Sequence, residues 1–507
     1  MGEVEEGEAK PRDLVLAGTG RFFVAGSTAY YMREAPLHGD PADPDAWPEP
    51  LAIKSEAFRR ALCLATPGLR PGSKRIKDLL VEYEDLAWRA RSIPRVDWFS
   101  LHDGVYRVAI SGAVVVRVDR AGIHVERNGV DALYTLPPSF DPLSWRAMLA
   151  HADPHGGHRM PRLRSAITGD IPPPLATDPI TAAEHEALLL AFWLGVFLEP
   201  GCQGRPILGI FGGYGTGKTV TARLLGKAYF GPRFEVGGGT GMGGGRSEKD
   251  LVATMNARPF TVRDDMNNEN RTIVDLICRL ATGSNVDVSA FHETMAMESF
   301  SARSSLCVTA HTPEWALRAD LLSRMLPVRI DKPPESGLTE KDRQERVVMA
   351  RPAIWMDTLC AIYATLTVPE KWRCSTRFED WETWARRCAH AGGWHGELHA
   401  GLEKMRGQRV RLACDTDPFL AVLWQIASEG EDDPRWYTAS ELFDLVSLKL
   451  GGAIDREPGS RPSARALANP RTLGKFLAQI QRDGAAVVAA ERGPLKDGVA
   501  LWRLRPL

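Results

Sequence analysis

Eight consecutive residues, Gly212, Gly213, Tyr214, Gly215, Thr216, Gly217, Lys218 and Thr219, carry the densest chemistry of this 507-residue chain. They match G-x-x-x-x-G-K-[ST] at every fixed position. Glycines there let successive backbone N–H groups turn inward as a nest for an anion, and a helix starting at the lysine points its positive end at the same spot. In that arrangement Lys218 reaches the β- and γ-phosphates of ATP, and the Thr219 hydroxyl joins the shell of Mg²⁺. The loop lacks carboxylates. Asp264 and Asp265, ending the apolar run 259–263, supply them. Asp264 is assigned to the metal and Asp265 to the attacking water, although the two roles could be exchanged. Thr309 ends a third apolar run, where its hydroxyl could touch the γ-phosphate or the water. Arg318 and Arg324 lie in LRADLLSRMLPVRI. Arg324 is the candidate for a guanidinium that completes phosphoryl transfer from a neighbouring subunit.

Such residues need a strand, a turn and a helix to hold them. Residues 206–211 read as a buried strand entering the glycine-rich turn, and 220–228 as the helix leaving it. With 259–263 and 306–309 as further apolar strands between helical stretches, the pattern predicts a parallel α/β sheet. Thr181 and Glu184 form a capping box opening the apolar run 187–198, whose 12 residues fall short of the roughly 20 that span a bilayer. That run is expected to be a buried helix.

Upstream, 21–33 is strand-like, 55–63 and 76–89 have helical spacing, and 97–111 and 113–127 alternate as antiparallel strands turning at Asp103-Gly104 and Ala121-Gly122. The proline-rich stretch 170–179 reads as a linker. Beyond Pro333-Pro334 the chain turns helical and tryptophan-rich (Trp355, Trp372, Trp381, Trp384, Trp394). The end of the chain reads as helices 418–428, 439–450 and 470–482, then a hairpin of 485–490 with 499–504 turning at Gly493-Pro494, which is a winged helix-turn-helix order. Leu473, Phe476, Leu477 and Ile480 make the apolar stripe of the third helix, leaving Arg471, Lys475, Gln479 and Arg482 on the other face. With Arg465 nearby, and five cations and no acid in 461–482, that face suits phosphate contact and groove insertion. The expected fold is multi-domain α/β: an acidic tail (1–13), an N-terminal α+β accessory domain (14–172), a P-loop NTPase core of AAA+ type (173–335), a helical domain (336–414) and a winged helix (415–507).

Loop, acidic strand end, polar strand end and L-R-x-D-L-x-x-R in this order, together with LICRLATG at 276–283, make residues 178–333 resemble the helicase-like ATPase domain of superfamily 3 and poxvirus-type primase-helicases of phages and mobile elements. The likeness extends through the helical and winged-helix portions to residue 507, and more weakly to the N-terminal part. It implies a ring, hexameric in that family, which translocates on DNA using ATP, with Lys218, Thr219, Asp264, Asp265, Thr309 and Arg324 in the functional positions. Two departures stand out. The family usually has Asn where this chain has Thr309, and the basic pair often found after L-A-T-G is absent from 285–289, with His292 a weak substitute. No D-x-D metal pair in a strand context precedes Pro172, so primer synthesis is not expected and a primase or replication protein would be a separate partner.

Composition sets the outer bounds. Apolar residues are 44% and charged residues 25%, which excludes fibrous and wholly disordered classes. Eight cysteines without a C-x-x-C pair disfavour a zinc ribbon or dithiol site and suit a reduced, cytoplasmic protein. The polar N-terminus has no features of a secretory signal, and no membrane partner is expected. Histidines at 151, 155 and 158, and His395 with His399, lack a zinc-site pattern, since Gly396 stands where H-E-x-x-H needs glutamate. The net charge of −1 is a cancellation: residues 1–50 hold ten acids and four bases, whereas 461–507 hold nine bases and three acids. The reading is an ATP-dependent helicase or translocase acting on single-stranded or forked DNA, with two alternatives: an ATP-dependent switch or loader acting on protein partners, and a DNA-binding regulator with a degenerate ATPase.

Overall fold

The computed structural model describes residues 20–506 except 37–38, 67, 154–155, 166–171, 175–177, 199–201, 203, 237–247, 268–270, 284, 290–296, 302–303, 312–317, 333–337, 369–371, 431–434, 451–467, 484–487 and 497–498. Arg465, His155, His292, the acidic tail and the glycine-rich stretch 237–245 therefore lie outside the described residues, as does the side chain of Arg482. Two compact units are present, one formed by Met1–Leu163, Phe230–Arg233 and Met349–Thr367, the other by Arg164–Tyr229, Phe234–Val348 and Val368–Leu507.

In the first unit the strand-like run 21–33 is a hairpin, Gly20–Ala25 against Thr28–Arg33, because Gly26 at φ +60° takes the left-handed turn. Helices Glu56–Ala65 and Lys74–Arg89 start at Ser55 and Ser73, whose hydroxyls accept from backbone N–H groups three residues on. Their apolar faces bury Phe58, Leu62, Leu79 and Tyr83. The two alternating runs form the expected antiparallel meander, Phe99–His102, Val105–Ala109, Val114–Asp119 and Gly122–Arg127 in sequence order.

The second unit is built on four parallel strands: β1 (Ile207–Phe211), β2 (Phe260–Arg263), β3 (Ser305–Ala310) and β4 (Met325–Arg329), in the order β2-β3-β1-β4. β1 and β3 are buried at every position, as the apolar runs require of strands covered on both faces. Pro327 is tolerated in β4 because β4 is an edge strand. Both bonds of the capping box form at Ala182–Gly195: Glu184 N–H donates to Thr181 Oγ1 at 3.3 Å and Thr181 N–H to Glu184 Oε2 at 2.8 Å. This helix is buried almost all round, as its run of apolar residues predicts. Trp384 Nε1 donates to Leu194 O at 2.9 Å, and a Cβ on Gly195 would meet Trp381 Nε1 at 2.6 Å, so the tryptophans of Glu379–Gly392 seat on that helix's end. Among the described residues one helix, Glu340–Thr365, is long and apolar enough to cross a membrane, and 67% of its apolar window is buried inside the protein, as in a core helix.

At the C-terminal end, Pro418–Glu429, Ala439–Lys449 and Pro470–Asp483 pack with a three-stranded antiparallel sheet ordered Tyr437–Thr438, Val499–Pro506, Val488–Lys496. The expected turn at Gly493-Pro494 is corrected. Both residues lie inside Val488–Lys496, where the pairing slips between Arg492 and Leu495. Proline has no N–H for the ladder and is accommodated at that irregularity, while Gly493 lies so close to Trp436 that a Cβ would come within 2.2 Å of its ring. A further antiparallel hairpin, Asn285–Ser289 with Met297–Ser301, follows the L-A-T-G run; the sequence pattern did not announce it.

Candidate active site

Parallel strands bring their C-terminal ends to one edge of the sheet, and register decides which of those ends touch. Arg263 pairs with Val308, so the next residues, Asp264 and Thr309, come side by side. Ile210 pairs with Thr309 and Phe211 with Ala310, which sets Gly212 beside the residues that leave β3. The glycine-rich turn thus opens next to the carboxylate and the hydroxyl, and Lys218–Phe230 leaves it as a helix.

Within the turn, Gly215 (φ +72°) and Gly217 (φ +86°) occupy left-handed conformations. A Cβ on Gly212 would sit 2.5 Å from Ile330 O and 2.8 Å from Thr216 Oγ1, so the tight packing at its base also demands glycine. Thr216 Oγ1 donates to Gly213 O at 3.0 Å, bracing the loop from within.

Asp264 is the centre of the polar network. Thr219 Oγ1 donates to Asp264 Oδ1 at 2.9 Å and Thr309 Oγ1 donates to the same oxygen at 2.5 Å. Thr309 Oγ1 also accepts from the backbone N–H of Asp265 at 3.0 Å, and Thr309 O from that of Met266 at 2.7 Å. The hydroxyl of Thr309 therefore commits its one proton to Asp264. Lys218 Nζ donates to Gly212 O at 2.9 Å and Gly213 O at 2.7 Å, folding over its own loop. Burial pulls the Lys218 pKa below its ordinary value, and the charges of Asp264 and Asp265 oppose that pull. Behind the site, burial, aided by the charge of Asp264, raises the Cys307 pKa and keeps that thiol protonated and inert.

Asp265 is exposed and takes φ +53°, a left-handed backbone that aspartate tolerates better than most residues. Its carboxylate accepts from the Asn267 side-chain amide. Asn267 Oδ1 in turn accepts from the His311 N–H at 2.7 Å, while His311 Nδ1 lies 3.1 Å from Gly212 O and its ring 4.2 Å from that of Tyr214. Asn267 and His311 thus tie the acidic strand end to the glycine-rich loop. Sequence reasoning missed both as site residues; the usable signal was their place just past the ends of β2 and β3.

Arg324 sits apart from this cluster. It immediately precedes β4, at the opposite edge of the sheet from the loop, a strand length of about 16 Å away at roughly 3.3 Å per residue. Its guanidinium donates to Asp320 O, and its Nε is buried without a partner. Arg318 is tied to Asp275 at 2.6 Å and Asp320 at 2.7 Å, and the hydrogen bonds to these carboxylates push its pKa up. On Pro470–Asp483 the side chains of Arg471, Lys475 and Gln479 are exposed, opposite buried Leu473, Leu477 and Ile480.

The residues present fit the ligand their pattern implies. A nest with two left-handed glycines, a lysine at its rim, and a hydroxyl and a carboxylate sharing a hydrogen bond form the oxygen-rich, cationic environment that a triphosphate with Mg²⁺ requires.

No protein-family model matches the chain, and no curated protein matches it. Among solved structures the chain is similar to the A form of the apo NrS-1 C-terminal region, at 10% identity over 98% of this chain and 99% of that one, with a TM-score of 0.37. It is also similar to SCCmec type IV Cch, described as an active helicase, at 11% identity over 96% and 93% of the two chains, with a TM-score of 0.43.

Proposed function

We propose that the chain is an ATP-hydrolysing, ring-forming DNA translocase of helicase type, with nucleotide bound between subunits and the C-terminal helices and hairpin, arranged as a winged helix, engaging DNA. The observation that carries this reading is the convergence of the Thr219 and Thr309 hydroxyls on Asp264 Oδ1 beside the Lys218 loop. ATP entering the loop exchanges the two carbonyl partners of Lys218 for phosphate oxygens, which form stronger, charge-assisted bonds. Thr219 and Asp264 would hold Mg²⁺, which when bound neutralises charge developing on the phosphate oxygens. Asp265, exposed at the rim and bonded to Asn267, would orient the attacking water. Thr309, fixed between β1 and β2, registers the position of Asp264 and through it the state of the site.

The place of Arg324 supports a ring. A guanidinium at the far edge of the sheet cannot serve its own chain's loop, and it serves a loop only where a second copy presents one. The test is ATP hydrolysis with and without single-stranded and forked DNA, beside strand displacement and the variants Lys218→Ala and Arg324→Ala. DNA-stimulated hydrolysis with ATP-dependent strand separation, both lost in Lys218→Ala, is the expected result. Hydrolysis indifferent to DNA and without strand separation would instead identify a switch or loader, and function that survives Lys218→Ala would identify a regulator.

A further inference from the structure

Away from the nucleotide loop, the second unit contains two adjoining clefts of about 520 and 590 Å³. They share Ser375 and Glu403, so they adjoin as one groove, and each alone has the size of a small-ligand site, about 300–1,000 Å³. The two halves differ in chemistry. One is lined by Arg377, Arg406 and Arg409 with the hydroxyls of Ser323 and Thr376. The other is lined by Trp372, His395 and His399 with Arg373 and Arg386.

The groove is built rather than incidental. Glu382, fully buried, accepts from the backbone N–H groups of Ser375 at 2.8 Å and Thr376 at 2.6 Å and from Arg386 Nε at 2.8 Å. That carboxylate fixes the loop carrying Ser375, Thr376 and Arg377, and Arg386 balances its charge. Arg409 is anchored by donating to Met325 O at 2.7 Å, while its Nε is buried and has no partner. Arg377 is steadied by Ser323 Oγ at 3.2 Å. The lining thus carries Arg373, Arg377, Arg386, Arg406 and Arg409 against one carboxylate, Glu403.

The aromatic half shares that one carboxylate, Glu403, and adds Arg373 and Arg386 to its rings. Burial and the nearby Arg386 lower the pKa of His395, and Arg386 lies 3.5 Å from His399 Nδ1. The rings of Trp372 and His395 are 5.0 Å apart, and those of His395 and His399 6.4 Å apart and nearly parallel at 13°. Among the described residues no group of three or more His, Cys, Asp or Glu side chains is placed to hold a metal.

Flat rings beside guanidiniums, in two adjoining clefts, are what a single strand needs: bases stack on the rings and phosphates lie along the cations. We propose that this groove binds single-stranded nucleic acid, with phosphates on Arg377, Arg406 and Arg409 and bases against Trp372, His395 and His399. It is a contact separate from the C-terminal basic helix and does not depend on ATP hydrolysis.

The experiment is fluorescence anisotropy of a labelled oligothymidylate of about 20 nucleotides with the full chain, without ATP, over a salt series. Arg406→Glu is expected to weaken binding at least tenfold and Trp372→Ala about tenfold, while Glu403→Gln tightens it a few-fold. Arg406→Ala lowers the slope of log affinity against log salt by about 0.7. Arg406 and Glu403 are exposed, so their variants decide the matter even if Trp372→Ala does not fold. Binding within twofold of wild type in Arg406→Glu overturns the groove. Competition by thymidine monophosphate as effective as the oligonucleotide, nucleotide for nucleotide, also overturns it, in favour of a free-nucleotide site. A chain without ATPase activity that still loses oligonucleotide binding in Arg406→Glu supports the groove and refutes only the function proposed above.

Discussion

The sheet-edge site and the basic face of Pro470–Asp483 place polar side chains in opposite ways. At the sheet edge Thr219, Asp264, Thr309, Asp265, Asn267 and His311 form a chain of hydrogen bonds, and most groups have two partners. On the helix Arg471, Lys475 and Gln479 stand exposed above a buried apolar stripe. The difference separates two kinds of energetics. Removing one member of an interlocked network strands its partners, so losses are large and depend on each other. Removing one cation from an open face loses one screened contact, so losses are small and add.

The largest effect belongs to the residue that joins neither class within one chain. Arg324→Ala should lower ATP turnover by about 10³–10⁵-fold, the scale of a guanidinium supplied in trans. Mixing Arg324→Ala subunits with Lys218→Ala subunits should restore part of the activity, because some interfaces then pair an intact loop with an intact arginine. Full activity of Arg324→Ala alone would remove the residue from the site. Next, Lys218→Ala should cost about 10²–10³-fold in kcat, as for loss of a preorganised donor. Third, Thr219→Val and Thr309→Val should each slow hydrolysis, and their double variant should depart from additivity by about 0.5–3 kcal/mol because both donate to Asp264 Oδ1. Additive losses would show that the shared oxygen does not couple them.

The same contrast explains what was legible in the sequence. The loop, Asp264 and Thr309 stood out because a glycine-rich turn and polar residues ending apolar runs are local patterns, and the parallel sheet could be read from apolar runs between helices. The pairing of Asp264 with Thr309 could not, because it depends on the Arg263–Val308 register, which no local pattern records. Asn267 and His311 looked like ordinary turn residues, since their roles arise from partners 44 residues apart. Gly493-Pro494 looked like a turn because glycine and proline mark irregular backbone without distinguishing a hairpin end from a slip within a strand. Of the groove beside Arg377 only Trp372, His395 and His399 stood out in the sequence, because no local pattern records that Arg377, Arg406 and Arg409 meet them.

The smallest expected effect tests the other half of the comparison. Arg471 and Lys475 are one helical turn apart on the exposed face of Pro470–Asp483, and neither forms an ion pair or hydrogen bond among the described contacts. If the face lies along duplex phosphates, Arg471→Ala and Lys475→Ala should each weaken binding to duplex DNA only a few-fold near 0.15 M salt. Each should reduce the salt slope by about 0.9. The double variant should equal the sum of the singles to within about 0.3–0.5 kcal/mol. Titrations at several salt concentrations measure both quantities at once. A loss that is large, non-additive and independent of salt would mean that these cations are gripped in a desolvated contact like that at the sheet edge. The face would then read bases rather than slide along phosphates, and the distinction between interlocked and open chemistry would no longer separate the two regions.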